Sequence, residues 1–195
     1  MKQALPLIQR LREGTRHHHR RLDHHPELKR LTTAGLTPRD YAHALQALYR
    51  PLADLEASIE AGIHALGIPR QTLPPSRLPL LAQDLADVGM PIPESPLADP
   101  PIARTPATLV GQRYVLEGSR LGGEVLARLV RQALGAEVPL RFFSVGEAAA
   151  HWTAFVDFAG RYCPAGEEAR AVEAAGATFE RFRLGLAPPA QSVRQ

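Results

Sequence analysis

Apolar residues recur along this chain at intervals of three and four, in stretches separated by proline-rich breaks, and strand-like alternation is nearly absent. That pattern predicts an all-α protein built from about seven helices. The first helix covers Leu7 to Asp23, with Pro6 at a first-turn position where its missing N–H costs nothing. Ile8, Leu11, Thr15, His19 and Leu22 fall on one face of it, Arg12 and His18 on the flanks of that face, and His17 away from it. His24-His25 precede Pro26, which ends the helix. Thr37-Pro38-Arg39-Asp40 combines an N-cap, a proline at N1 and an acidic third position, and so opens a helix carrying Tyr41, Leu45, Leu48 and Tyr49. Pro51 opens or kinks a second segment through Leu52, Leu55, Ile59, Ile63 and Leu66.

A further helix is predicted from about Pro79 to Val88. The stretch Met90 to Pro106 then holds six prolines and reads as an extended linker within a domain. A long amphipathic helix follows, from about Thr105 to Leu134. Ser144 is placed to cap the next one, which sets Trp152, Phe155, Val156 and Ala159 on one face. The last helix carries Val172, Ala175, Phe179 and Phe182. No internal repeat is visible. One domain over residues 1–195 is expected, with a disordered tail after about residue 187.

The long helix has an unusual interior. Gly118, Gly122 and Gly123 lie within six residues of one another, and each interior glycine costs roughly 0.5–1 kcal/mol relative to alanine. Gly118 and Gly122 are four apart and share a face, which leaves a strip without side chains about one turn long. Such a strip suits a kink, or a backbone lying close against something flat.

Composition narrows the chemistry. Apolar residues make up 45% and charged residues 22%, ordinary for a globular protein. With 23 basic and 20 acidic residues the net charge is only +3, and no aromatic–basic interleaving points to nucleic acid. No apolar run reaches the roughly 20 residues that cross a membrane, and no signal peptide is visible. The single cysteine, Cys163, permits no internal disulfide and suits a reducing cytoplasm, so a cytoplasmic location is expected. There is no Ser/His/Asp arrangement, phosphate loop or zinc-type spacing. A di-iron carboxylate site would need Glu-x-x-His pairs; Glu13 and His17, Glu60 and His64, and Glu147 and His151 are all four apart instead. A histidine on the inner face of the first helix could ligate a metal, and periodicity alone does not choose between His18 and His19.

The run Tyr114-Val115-Leu116-Glu117-Gly118-Ser119-Arg120-Leu121-Gly122-Gly123 resembles the distal helix of the heme oxygenases, in particular the bacterial branch associated with bacteriophytochromes. The first helix resembles the same family, whose pattern Leu-(Arg/Lys)-x-x-Thr-x-x-x-His-x-x-Leu is matched by Leu11, Arg12, Thr15, His19 and Leu22. Weaker likenesses at Asp40-Tyr41, Asp84-Leu85 after Arg77, Arg141-Phe142-Phe143, Trp152 with Phe155, and Phe179 with Phe182 extend it over most of the chain. The resemblance implies a single-domain multi-helix fold with heme sandwiched between the N-terminal, proximal helix and a Gly-kinked distal helix.

It further implies that His19 is the proximal iron ligand, with Asp23 one possible acceptor for its second ring nitrogen. Arg12 would face the propionates, with Arg161 a weaker candidate; the family's clamping places on the later helix carry Thr153 and Asp157. Heme contacts would come from Arg12, Thr15, His19, Gly118, Ser119, Gly122, Gly123 and Phe179, with Gly118, Ser119 and Gly122 shaping catalysis. Ser119 replaces the aspartate of animal members, and Arg120 is expected to point outward, about 200° from the glycine strip. The implied activity is O2-dependent cleavage of heme, at once substrate and cofactor, to biliverdin, carbon monoxide and Fe2+. Electrons would come from an external ferredoxin- or flavoprotein-type reductase, and a biliverdin-binding phytochrome could receive the product. The alternatives are a heme-binding or sensing protein that does not turn heme over, and a related helical fold without heme.

Overall fold

A computed structural model describes residues 4–93, 102–144 and 146–186. All regular structure among these residues is helical. The elements are α1 (Ala4–Asp23), α2 (Pro26–Lys29), α3 (Pro38–Ala65), α4 (Leu78–Asp87), α5 (Pro106–Leu134), α6 (Ala148–Tyr162) and α7 (Glu168–Gly185), with single 3-10 turns at Arg30–Thr32 and Arg70–Thr72. The expected tail after residue 187 and the middle of the proline linker, residues 94–101, lie outside the described residues. No described helix is long and apolar enough to cross a membrane.

Local signals set the helix ends. The Thr37 hydroxyl accepts the Asp40 N–H while the Asp40 carboxylate accepts the Thr37 N–H, a reciprocal capping box. Thr105 caps α5 through the Thr108 N–H, with Pro106 at the first position, where proline is tolerated. Pro51 neither ends nor restarts a helix: α3 continues through it to Ala65 with Pro51 itself buried, so packing overrides the local penalty. Ser144 is not a cap. The α6 N-cap is Glu147, held at φ 56° directly after Gly146 at φ 67°, so two left-handed residues lead into the helix.

α7 packs against both α1 and α5, and the closeness depends on glycine. A Cβ on Gly14 of α1 would lie 2.4 Å from Val172, and one on Gly111 of α5 would lie 2.4 Å from the Ala171 carbonyl oxygen. The core joins Leu11, Leu45, Leu52, Ile59, Leu109, Leu116, Phe155 and Phe179. The loop before α6 is tied to α4 by Asp84, fully buried, which accepts the N–H groups of Arg141 and Phe142 and the Arg141 guanidinium. This anchor sets Phe142 and Phe143 beside the middle of α5.

Candidate functional site

Between α1 and the middle of α5 lies a cavity of about 1390 Å3. That exceeds the roughly 300–1,000 Å3 usual for small-molecule sites, so the occupant it suits is large. The walls are mostly apolar: Leu48, Leu52 and Leu55 from α3, Leu126 and Leu129 from α5, with Phe142, Trp152 and Phe182.

On the α1 wall the inner-face residues Ile8, Thr15, His19 and Leu22 line the space. Thr15 is buried and donates its hydroxyl to the Leu11 carbonyl at 2.7 Å, which removes a polar group from the apolar surface. His19 Nδ1 sits 2.8 Å from Asp23 Oδ2, and this bond holds the imidazole pKa above its ordinary value. With Nδ1 bound to the carboxylate, Nε2 is the nitrogen left to ligate, the arrangement usual for a metal-binding histidine. The His19 ring also meets Phe179 of α7 edge-on at 5.8 Å.

The geometry separates the two histidines that periodicity left open. His18 does not line the cavity. Its ring lies over α7, where a Cβ on Gly176 would come within 2.9 Å of Nε2, and burial, then the neighbouring His17, lowers its pKa. Arg12, Arg16 and Arg20, one turn apart and all exposed, line the rim of the cavity and give it a row of positive charge.

The α5 wall presents Gly118, Ser119, Leu121, Gly122 and Val125. Among the described residues, and apart from the surrounding backbone of α5 itself, no heavy atom lies within 4 Å of where a Cβ on Gly118 or Gly122 would stand. Helical assignment runs unbroken across both. Beside Ser119 stands a second polar group, Arg77, which lines the cavity although only 2% exposed. Its guanidinium donates to Ser119 Oγ at 2.5 Å, and Ser119 donates in turn to the Leu116 carbonyl at 2.6 Å. The Arg77 guanidinium also lies over the Phe142 ring, 4.9 Å from its centre. Burial, then repulsion from Arg120, pushes its pKa down to about 10, so it remains charged at neutral pH.

Over 155 residues the chain is 34% identical to a heme oxygenase of Xanthomonas campestris pv. campestris (strain 8004), a match covering 77% of this chain and 91% of that protein. The chain belongs to the heme oxygenase family. No family model matches it. Solved heme oxygenases share its fold. The Neisseria meningitidis protein, determined with NO and CO bound, aligns with a TM-score of 0.70 at 20% identity, covering 94% of each chain. That of Leptospira interrogans aligns at 0.68 and 17%, covering 92% of this chain and 98% of its own. Heme oxygenase-1 of the cyanobacterium Synechocystis, solved in complex with heme, aligns at 0.66 and 16%, covering 92% and 90%.

Within this heme oxygenase fold, Arg12, Thr15, His19, Gly118, Ser119, Gly122 and Phe179 all line the one cavity. Gly123 does not: a Cβ there would stand 3.3 Å from the Phe143 carbonyl oxygen, so this glycine makes room for the neighbouring loop. Arg120 does not point outward either. It is 3% exposed, pairs with Glu117 at 2.9 Å and donates to the Pro75 carbonyl at 2.7 Å. It does turn away from the glycine strip, but what covers that side is protein. Arg161 lies over the Tyr162 ring, and Thr153 and Asp157 are exposed on α6; none of the three lines the cavity. Arg77 was not legible as a site residue. It lies 42 positions before Ser119, and no spacing rule links the two.

Proposed function

We propose that this chain cleaves heme to biliverdin, carbon monoxide and ferrous iron, with His19 as iron ligand and Gly118 and Gly122 forming the floor against which the macrocycle lies. One observation carries the reading. A histidine with Nδ1 fixed by Asp23 and a strip of helix without side chains line one cavity too large for an ordinary metabolite. The residues present fit heme, since a planar ligand needs one nitrogen donor, apolar walls and a backbone it can approach closely.

Heme, when bound, supplies the iron at which dioxygen is reduced; the protein binds, orients and excludes. His19 would hold the iron through Nε2, because Asp23 occupies Nδ1 and fixes the ring's rotation. Arg12, Arg16 and Arg20 give the propionate edge guanidinium partners at the exposed rim. On the opposite side Gly118 and Gly122 would let the helix backbone approach a planar ligand closely, since neither carries a side chain into the cavity. Arg77 and the Ser119 hydroxyl are polar groups there, and they would give ordered water a hydrogen-bonding anchor beside an otherwise apolar wall. The electron donor is an external ferredoxin- or flavoprotein-type reductase, and the likeness to the phytochrome-associated branch suggests a phytochrome as acceptor of biliverdin.

The test is to add hemin to the purified protein, record the spectrum, then add reductant in air. A Soret band that gives way to biliverdin absorbance supports the proposal. A Soret band that persists makes the chain a heme-binding protein without turnover, and no Soret band removes heme altogether.

A further inference from the structure

The side of α5 facing away from the cavity carries a charge imbalance. Arg113, Glu117 and Arg120 follow the spacing four then three and lie on one helix face, with Arg77 approaching from the segment before α4. All four are buried, at 3%, 1%, 3% and 2% exposed. Three guanidiniums therefore share one buried carboxylate. Glu117 lies 2.9 Å from Arg120 Nε and 3.8 Å from an Arg113 terminal nitrogen. The other nearby carboxylate, Glu56, is only half-buried and accepts the Arg77 backbone N–H at 3.0 Å and the Ser76 hydroxyl at 2.5 Å. Arg113 stacks on Phe158, 4.0 Å from the ring centre. Arg77 Nε, Arg113 Nε and Nη1, and Arg120 Nη1 are buried without a hydrogen-bond partner among the described residues.

Burying cations short of counter-charge is destabilising, and arginine cannot escape by losing its proton. A packed apolar α5 would be cheaper, so stability does not account for the arrangement. What it does produce is a positive field with little water to screen it, and Arg77 carries that field to the cavity wall at Ser119. The rim arginines, by contrast, are exposed and their field is screened by salt.

We propose that Arg113, Glu117 and Arg120 are positioning residues that set the charge of the distal side, giving it a preference for small anions over neutral ligands. The proposal rests on the reading of the cavity as a heme site. Its residues do not line the cavity; they act through Arg77.

The experiment uses the full chain reconstituted with ferric heme, titrated with azide (an anion) and imidazole (neutral) at fixed pH, following the Soret shift. Arg120→Gln removes one positive charge and should weaken azide by roughly three- to tenfold. Glu117→Gln removes the negative charge and should tighten azide by a similar factor. Imidazole should change by less than about twofold in both, and Arg120→Lys should keep the parent azide affinity. A purely structural role predicts that Arg120→Gln and Glu117→Gln weaken azide alike, or move azide and imidazole together, and either result overturns the proposal. The unaltered protein gives a second reading that needs no variant to fold. Its azide affinity should be nearly insensitive to salt, because buried charges are poorly screened; a steep loss with salt would trace the field to the exposed rim and refute the inference. Absence of any Soret band in the unaltered protein would instead sink the heme reading itself, and this proposal with it.

Discussion

Gly111 and Gly122 stand on the same helix, three turns apart, and are there for opposite reasons. At Gly111 a Cβ would strike the Ala171 carbonyl oxygen at 2.4 Å and the Ala175 nitrogen at 2.8 Å, so the glycine lets α7 cross against α5. At Gly122, as at Gly118, a Cβ would meet nothing within 4 Å, so the fold itself does not ask for glycine. α1 shows the same division. Gly14 and His18 fit against Val172 and Gly176 of α7, whereas His19, one residue on, faces the cavity with most of its side chain exposed. Packed glycines and the histidine over them hold the frame; open glycines and the histidine opposite serve a ligand. The comparison makes separate predictions for stability and for chemistry.

The largest effect is expected at His19. His19→Ala should abolish turnover and the histidine-ligated ferric spectrum, with exogenous imidazole restoring a low-spin form. Unfolding of the heme-free protein should shift by no more than about 0.5 kcal/mol, as for other exposed substitutions. His18→Ala should do the reverse, keeping the spectrum and lowering the melting temperature. A ferric–imidazole spectrum lost in His18→Ala would break the division on α1.

Arg77→Met keeps the side chain's length and deletes the guanidinium on the α5 side of the cavity. Turnover should fall by about 10²-fold, a typical loss when a group positioning protons is removed. Stability should hold or rise, since replacing a buried ion by an apolar residue of similar volume is often neutral or favourable. A turnover number unchanged by this substitution would place proton delivery elsewhere.

Gly111→Ala should destabilise the heme-free protein by about 1–3 kcal/mol, the usual cost of overpacking against backbone that cannot withdraw. For a chain of this size each kcal/mol is worth roughly 2–4 °C in thermal unfolding. The smallest effect belongs to Gly118→Ala, which should raise heme-free stability by about 0.5–1 kcal/mol, the helix preference of alanine over glycine. A fall there would mean that Gly118 is packed after all.

Much of this was legible along the chain, because local rules set it. The capping box at Thr37 and Asp40, the cap at Thr105, the Thr15–His19 face and the shared face of Gly118 and Gly122 all follow from spacing within one helix. Two of the misreadings involve neighbours distant in sequence. Glu117, Arg113 and Arg120 form a charged stripe that on an isolated helix reads as solvated; here it is buried beneath Pro75, Arg77 and Phe158. Gly123 belongs to the same glycine run as Gly122, yet one residue is a rotation of about 100°, enough to turn it from the cavity to Phe143. Ser144 carries an ordinary cap signal that the left-handed pair at Gly146 and Glu147 overrides, and Pro51 does not start a new helix because α3 continues through it.

Gly122→Ala, measured in parallel on the heme-free and the heme-loaded protein, separates a glycine kept for a ligand from one kept for packing. Without heme the variant should melt higher than the parent, by the small margin alanine brings to an open helix position. With hemin it should gain less stability than the parent and form biliverdin about 10²-fold more slowly, because a methyl group displaces either the helix or the ring by on the order of 1 Å. A variant that melts higher without heme and still forms biliverdin at the parent rate would contradict the account, since the strip would then have no close ligand to accommodate.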